Sequence, residues 1–254
     1  MKFKNLQPNK KLILLYVLVS IIPFVLTISN IYFGRIAFWY DPARDFLLAL
    51  QNLQKPTLIG QPSGLPGLFY GPYWIWTISL WTLVSKDPRI VSFLLLTIPY
   101  FTIFPFILYK ISKKWGIFIF LSIWFLFILN FGSYANQIWN VHYGALFLLL
   151  TFYFLINPSE KNYKKNIDFG LLGVSAGLLA NFHLSFGIPL IAGVFISIFV
   201  IHFTENQRKL LESYLTIAKK LILYMLGVLI TFTPFLLLLN QDIHFSEVNN
   251  LQVF

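Results

Sequence analysis

The chain has 254 residues, of which 57% are hydrophobic and 11% charged, and it carries a net charge of +10. An ordinary soluble domain is about a quarter charged, so this composition excludes one and predicts a multi-pass membrane protein. Cysteine is absent, which excludes disulfides and thiolate chemistry.

The basic excess does not point to nucleic acid. The lysines cluster at the ends of apolar runs, where membrane topology and anionic headgroups account for them. Aromatic residues make up 19% of the chain, which suits lipid-facing surfaces and interfacial belts.

A spanning helix needs about 20 apolar residues, because ~30 Å of hydrocarbon is crossed at ~1.5 Å per residue. The first candidate covers about 12–33 and follows a basic N-terminus, residues 1–11, with Lys2, Lys4, Lys10 and Lys11. It is too long for a signal peptide and no small-residue cleavage site follows, so an anchored helix is predicted. Residues 34–69 form a large first loop. Within it Phe46, Leu47, Leu50 and Leu53 recur at helical spacing, which predicts a short surface helix starting near Pro42 with Asp41 as its cap. Further spans are predicted at about 70–85, 90–109, 116–130, 142–157, 168–182, 186–203 and 219–239, followed by a short tail, 240–254. The expected fold is all-α: a transmembrane bundle of 7–8 spans, forming one domain over residues 1–254.

Two basic loops orient the bundle, one with Lys161, Lys164 and Lys165, the other with Arg208, Lys209, Lys219 and Lys220. The positive-inside rule puts both on the cytoplasmic side with the N-terminus. The loop 34–69, the segment 130–141 and the hairpin tip at His183 then face outward together. One inconsistency remains. Two full crossings after residue 69 would leave Lys110, Lys113 and Lys114 outside. Either 70–85 or 90–109 fails to cross, with Pro99 and Pro105 as candidate interruptions.

The three outward segments carry the polar residues most able to do chemistry. These are Asp41, Arg44, Asp45, Gln61 and Ser63, then Asn136, Gln137, Asn140 and His142, then Asn181, His183 and Ser185. Polar groups at membrane depth are costly and mark function. Asp41 and Asp45 are two of nine acidic residues, one helical turn apart, with Arg44 able to pair with either. A carboxylate beside lipid loses hydration and becomes a better base, so Asp41 is the leading catalytic candidate. His183 sits in an otherwise apolar hairpin, where a histidine has little value as filler. No Gly-rich phosphate loop, His-Glu-x-x-His motif or Cys/His metal spacing occurs. No cofactor is therefore predicted, and a divalent cation on Asp41 and Asp45 stays an open alternative.

The pattern resembles the GT-C-fold glycosyltransferases that use polyprenyl-phosphate sugars, such as the protein O-mannosyltransferases and the aminoarabinose or galacturonic acid transferases. That family places an Asp-x-x-Arg motif in the first outer loop, matched by Asp41, Arg44 and the neighbouring Asp45. A Gly- and Pro-rich entry to the next element is matched by Gly67-Leu68-Phe69-Tyr70-Gly71-Pro72-Tyr73. Ile138-Trp139-Asn140 and the run from Gly177 to His183 are similar to later family elements. The resemblance implies an inverting sugar transfer on the extracytoplasmic face, from a polyprenyl-phosphate donor to a lipid, glycan or protein acceptor. Asp41 would act as the base. Arg44, Asp45, Tyr70, Asn140 and His183 would bind substrate, with Arg35 or Lys55 also near the leaving phosphate. Family members usually run longer, which implies a C-terminal half or partner subunit here. The entry at Gly71-Pro72 also lacks the basic or histidine residue of the mannosyltransferase branch.

Two other functional classes fit the architecture. A transporter or flippase for lipid-linked sugars predicts ionisable residues at mid-span, whereas the acids here lie at span ends. A non-catalytic membrane subunit is the second.

Overall fold

A computed structural model describes residues 18, 21–22, 24–26, 28–64, 67–116, 118, 121–126, 137–156, 162–205 and 210–238. The basic N-terminus, part of the span 116–130, Asn136, the loop 157–161, residues 206–209 and the tail 240–254 lie outside the described residues. Those described form an all-α protein whose only β pairings are two isolated bridges, Ala37 with Gln137 and Pro62 with Phe69. Among the described residues, two helices are long and apolar enough to cross a membrane, Pro88–Ile111 and Tyr214–Thr231.

The described residues from 18 to 32 are helical. Gly34 ends this run at φ 65, a left-handed conformation that glycine adopts without steric cost. The amide of Arg35 then bonds the carbonyl of Asn30 at 2.8 Å. The loop that follows contains helix α1, Tyr40–Asn52. A short helix is present within the loop as expected, but its start differs in detail. Trp39 occupies the cap position without a side-chain bond, and Asp41 lies inside the first turn. Its carboxylate is drawn to Arg44 instead of the backbone. The buried face is also rotated from the expected one. Pro42, Asp45, Phe46 and Ala49 face inward, while Leu47 is exposed.

Helix α2, Tyr73–Thr82, packs against α1. The Ser79 hydroxyl donates to the carbonyl of Ala49 at 2.9 Å, and the Asn52 amide donates to Ser79 Oγ at 3.0 Å. With 10 residues α2 is about 15 Å long, half of what a crossing requires. The expected span at 70–85 is therefore too short to cross. Helix α3, Pro88–Ile98, follows, and a π turn at Pro99–Ile103 joins it to α4, Phe104–Trp115. The prolines do not interrupt the element. The widened turn, closed by the Phe104 amide on the Pro99 carbonyl, accommodates Pro105 within a continuous helical path.

Asp87 caps α3 by accepting from the Arg89 amide at 2.9 Å, and its carboxylate also pairs with the Arg89 side chain. These bonds hold Asp87 below its ordinary pKa of 3.8. Asp87→Ala should lower stability by about 1 kcal/mol, the usual value of such a cap. Because the folded pKa is depressed, the contribution is complete above pH 3.8 and is lost as the pH falls below it. Thermal melts of the two proteins at neutral and acidic pH should converge accordingly.

Helices α5, Val141–Ile156, α6, Asn162–Phe182, α7, Leu184–Glu205, and α8, Leu210–Thr231, complete the bundle, with the short α9, Thr233–Leu238, after a break at Phe232. The Tyr143 hydroxyl donates to the Leu95 carbonyl at 2.7 Å, and the Tyr100 hydroxyl donates to the His142 carbonyl. These reciprocal bonds join α5 to α3 and the π turn. Helices α6 and α8 approach through glycine. A Cβ at Gly173 would lie 2.0 Å from the Tyr224 carbonyl oxygen, and one at Gly227 2.2 Å from the Gly170 oxygen. One apolar cluster fills the space around Trp74, Tyr100, Tyr143 and Phe182, and a second lies around Leu172, Val194 and Tyr224. Helix α6 contributes to both.

Candidate functional site

The first turn of α1 builds the charged centre. Arg44 lies between two acids on the same helix face, three residues from Asp41 and one from Asp45. Its Nη1 bonds Asp41 Oδ1 at 2.8 Å, while Nε and Nη2 reach Asp45 Oδ1 at 2.9 and 2.7 Å. The other oxygen of Asp45 accepts the indole N–H of Trp74, from α2, at 2.8 Å. The two carboxylates are therefore not equivalent. Asp45 is 1% exposed and its oxygens face three N–H groups, whereas the Asp41 side chain is 31% exposed. Burial pushes Asp45 above the ordinary carboxylate value, and Arg44 and Trp74 oppose that shift.

Tyr70 stands beside this centre. Burial raises its phenol above the ordinary value, and Arg44, Asp41 and Asp45 all act on it electrostatically. Its position is set by the pairing of two loop strands. The Gly60 amide bonds the Tyr70 carbonyl at 2.9 Å, and the Tyr70 amide bonds the Gln61 carbonyl at 3.0 Å. The absence of a side chain at Gly60 is required here, since a Cβ would meet the Gly71 oxygen at 2.2 Å.

On the far side of Tyr70 is the reversal between α6 and α7. His183 alone separates the two helices, with its ring centroid 5.8 Å from Tyr70 and 4.5 Å from Phe186. Partial burial lowers the His183 pKa. The end of α6 is fastened at two carbonyls: that of Asn181 accepts the Gly71 amide at 3.0 Å, and that of Phe182 accepts the side-chain amide of Asn140. The Asn181 amide nitrogen bonds the Gly177 carbonyl and Thr231, leaving its oxygen against the Cα of Gly71. The segment before α5 joins from a third side, through the bridge of Ala37 with Gln137 and the contact of Trp39 with Trp139, 6.0 Å between rings.

Asp41, Arg44, Asp45, Tyr70, Asn140 and His183 thus belong to one connected region. Asp41, Arg44 and Tyr70 line its charged end, His183 its aromatic end, and Asn140 supports the backbone between them. Gln61 is buried within the same loop pairing, and both of its amide atoms lack a hydrogen-bond partner among the described residues. The Ser63 amide bonds the Leu68 carbonyl at 2.9 Å, and Ser185 is exposed in the first turn of α7. Arg35 stacks on Phe33 at the end of the first helix, and Lys55 is exposed beyond α1.

Trp74 is the member that the sequence did not reveal. It lies in an apolar aromatic run, Tyr73-Trp74-Ile75-Trp76, and nothing there separates a core tryptophan from one that donates to a carboxylate. Comparison with protein-family models, with curated proteins and with solved structures finds no match to this chain.

Proposed function

We propose that the chain is a multi-pass membrane glycosyltransferase that moves a sugar from a polyprenyl-phosphate donor to a hydroxyl-bearing acceptor on the extracytoplasmic face. The observation that carries this reading is the unequal pair of acids. Arg44 is held from below by buried Asp45, and the half-exposed Asp41 is left at the edge of a region bounded by Tyr70 and His183.

In the proposed reaction the acceptor hydroxyl loses its proton to Asp41. Its oxygen attacks the anomeric carbon from the face opposite the phosphate. The bond from that carbon to the phosphate oxygen breaks, with inversion, and the electron pair leaves on the polyprenyl phosphate. Arg44 is placed to offset the charge of that leaving group, since both of its terminal nitrogens carry N–H groups beyond those bonded to the acids. The scheme routes no step through a metal ion: the Arg44 guanidinium supplies the positive charge that bridges the two carboxylates. The acceptor class stays open among lipid, glycan and protein. Liposomes containing the whole chain, with any partner subunit, should release polyprenyl phosphate from the donor only when an acceptor is present. Failure in a preparation that retains donor binding would overturn the reading.

The length of α2 supports the topology that this function requires. If α2 lies at the outer surface and the 24-residue helix Pro88–Ile111 makes the next crossing, Lys110 falls on the cytoplasmic side. The crossings that follow then put His183 outside and Lys219 inside, as the basic loops demand. Seven crossings result. Because the chain has no cysteine, single-cysteine variants read this directly. Cysteines at Gly64, Lys86 and Ser185 should label with an impermeant maleimide in intact cells, and one at Lys110 only after permeabilisation. Protection of Lys86→Cys would restore a crossing to α2 and remove the shared face.

A further inference from the structure

The guanidinium of Arg44 has two acidic partners available on its own helix, and something must decide how it divides itself between them. Left alone on an exposed turn, an arginine three residues from one carboxylate and one residue from another exchanges between them at little cost, since such surface pairs are weak. Here the division is uneven. Both atoms of the Nε–Nη2 edge sit on Asp45 Oδ1, and only Nη1 reaches Asp41. Asp45 is itself immobilised from across the interface with α2, because its second oxygen accepts Trp74 Nε1 at 2.8 Å in a fully buried bond. The Trp74 ring is in turn held against Tyr143 of α5 and Phe182 of α6, with centroids 5.5 and 6.0 Å away.

We infer that Trp74 and Asp45 are positioning residues that fix the orientation of Arg44, so that the guanidinium spends its stronger edge on the buried acid and leaves Asp41 with a single contact. Without the indole N–H, Asp45 keeps one unmatched oxygen and can rotate, and the edge of Arg44 is released. The guanidinium then turns toward Asp41, or toward solvent. In the first case Asp41 loses its free oxygen to a second bond from Arg44, and in the second it loses the contact that orients it. Trp74 thereby links the packing of α2, α5 and α6 to the availability of a carboxylate it does not touch. This assignment concerns geometry alone and holds whatever reaction Asp41 serves.

The test reads Arg44 directly and needs no substrate. The purified full chain in detergent is treated with phenylglyoxal, and modification at Arg44 is followed by mass spectrometry against Arg89 as internal reference. Replacing Trp74 with its benzothiophene isostere removes the N–H and keeps the ring shape. Trp74→Phe is the simpler second variant. Both should raise the rate at Arg44 by about tenfold relative to Arg89, the scale of one hydrogen bond to a charged group. The melting temperature of the isostere protein should stay close to that of the unmodified chain. Asp45→Asn should raise the rate at least as much, and Asp41→Asn much less, because the anchoring edge is intact. An unchanged rate in both the isostere and Asp45→Asn would overturn the assignment. A chain that shows the expected reactivities but transfers no sugar would leave the positioning role standing and remove only the proposed reaction.

Discussion

Asp41→Asn should lower the rate of sugar transfer by about a hundredfold or more, because general-base catalysis contributes 10²–10⁴. The substitution keeps the side-chain volume and one carbonyl oxygen able to accept the single bond from Arg44 Nη1, so the first turn of α1 should persist. Donor binding should change far less, since a lipid tail is held by apolar surface and its phosphate by cationic groups. A fall in kcat with donor affinity retained is therefore the expected signature. Wild-type turnover in this variant would remove Asp41 as the base and reduce its role to pairing with Arg44 in the first turn of α1.

The second large effect is structural. Gly173→Ala should destabilise the bundle by about 2 kcal/mol or more, at the upper part of the range for overpacking. The added carbon would stand 2.0 Å from a backbone carbonyl oxygen of α8, and backbone cannot swing aside as a side chain can. The helices must separate, which also loosens Tyr224, whose hydroxyl ties α8 to the Ile191 carbonyl of α7 at 3.0 Å. Gly170→Ala is the matched control. No atom lies within 4 Å of a Cβ there, so the gain in helix propensity should leave it at least as stable as the parent. Thermal melts in one detergent separate the two outcomes. Equal melting temperatures would show that the α6–α8 contact is less close than described.

Much of the architecture could be read from the chain because hydrophobic runs report burial or lipid contact directly. The all-α class, the short helix within 34–69 and the helical segments from 141 to 231 all follow from that signal. Its resolution is limited by what apolarity alone can say. The run 70–85 is as apolar as a crossing helix, yet only Tyr73–Thr82 is helical. Pro72 and the turn at Leu83–Val84 set those limits, and turns are a weaker signal than hydrophobicity. The rotation of α1 was hidden for another reason. Asp45 is buried while Leu47 is exposed, an inversion that becomes favourable only because Arg44 and Trp74 meet the carboxylate. Sequence spacing brought Asp41, Arg44 and Asp45 together, since they share one helix. It could not bring Trp74 to them, because that bond spans 29 positions and depends on how two helices cross. The glycines of α6 illustrate the same limit, as their role lies in which backbone they approach.

The reversal at His183 has a mechanical consequence. One residue between two long helices leaves no slack, and Gly187 rests against the backbone of Ala180 so closely that even a methyl group would collide. Such close contact favours movement of the pair as one unit about its tip. Under the proposed topology, a tilt of α7 would pass to the carbonyls of Asn181 and Phe182, and through them to Gly71 and Asn140. Bilayer thickness and lipid order acting on the apolar flank of α7 would, under that topology, have a direct line to the alignment of Tyr70 beside Asp41.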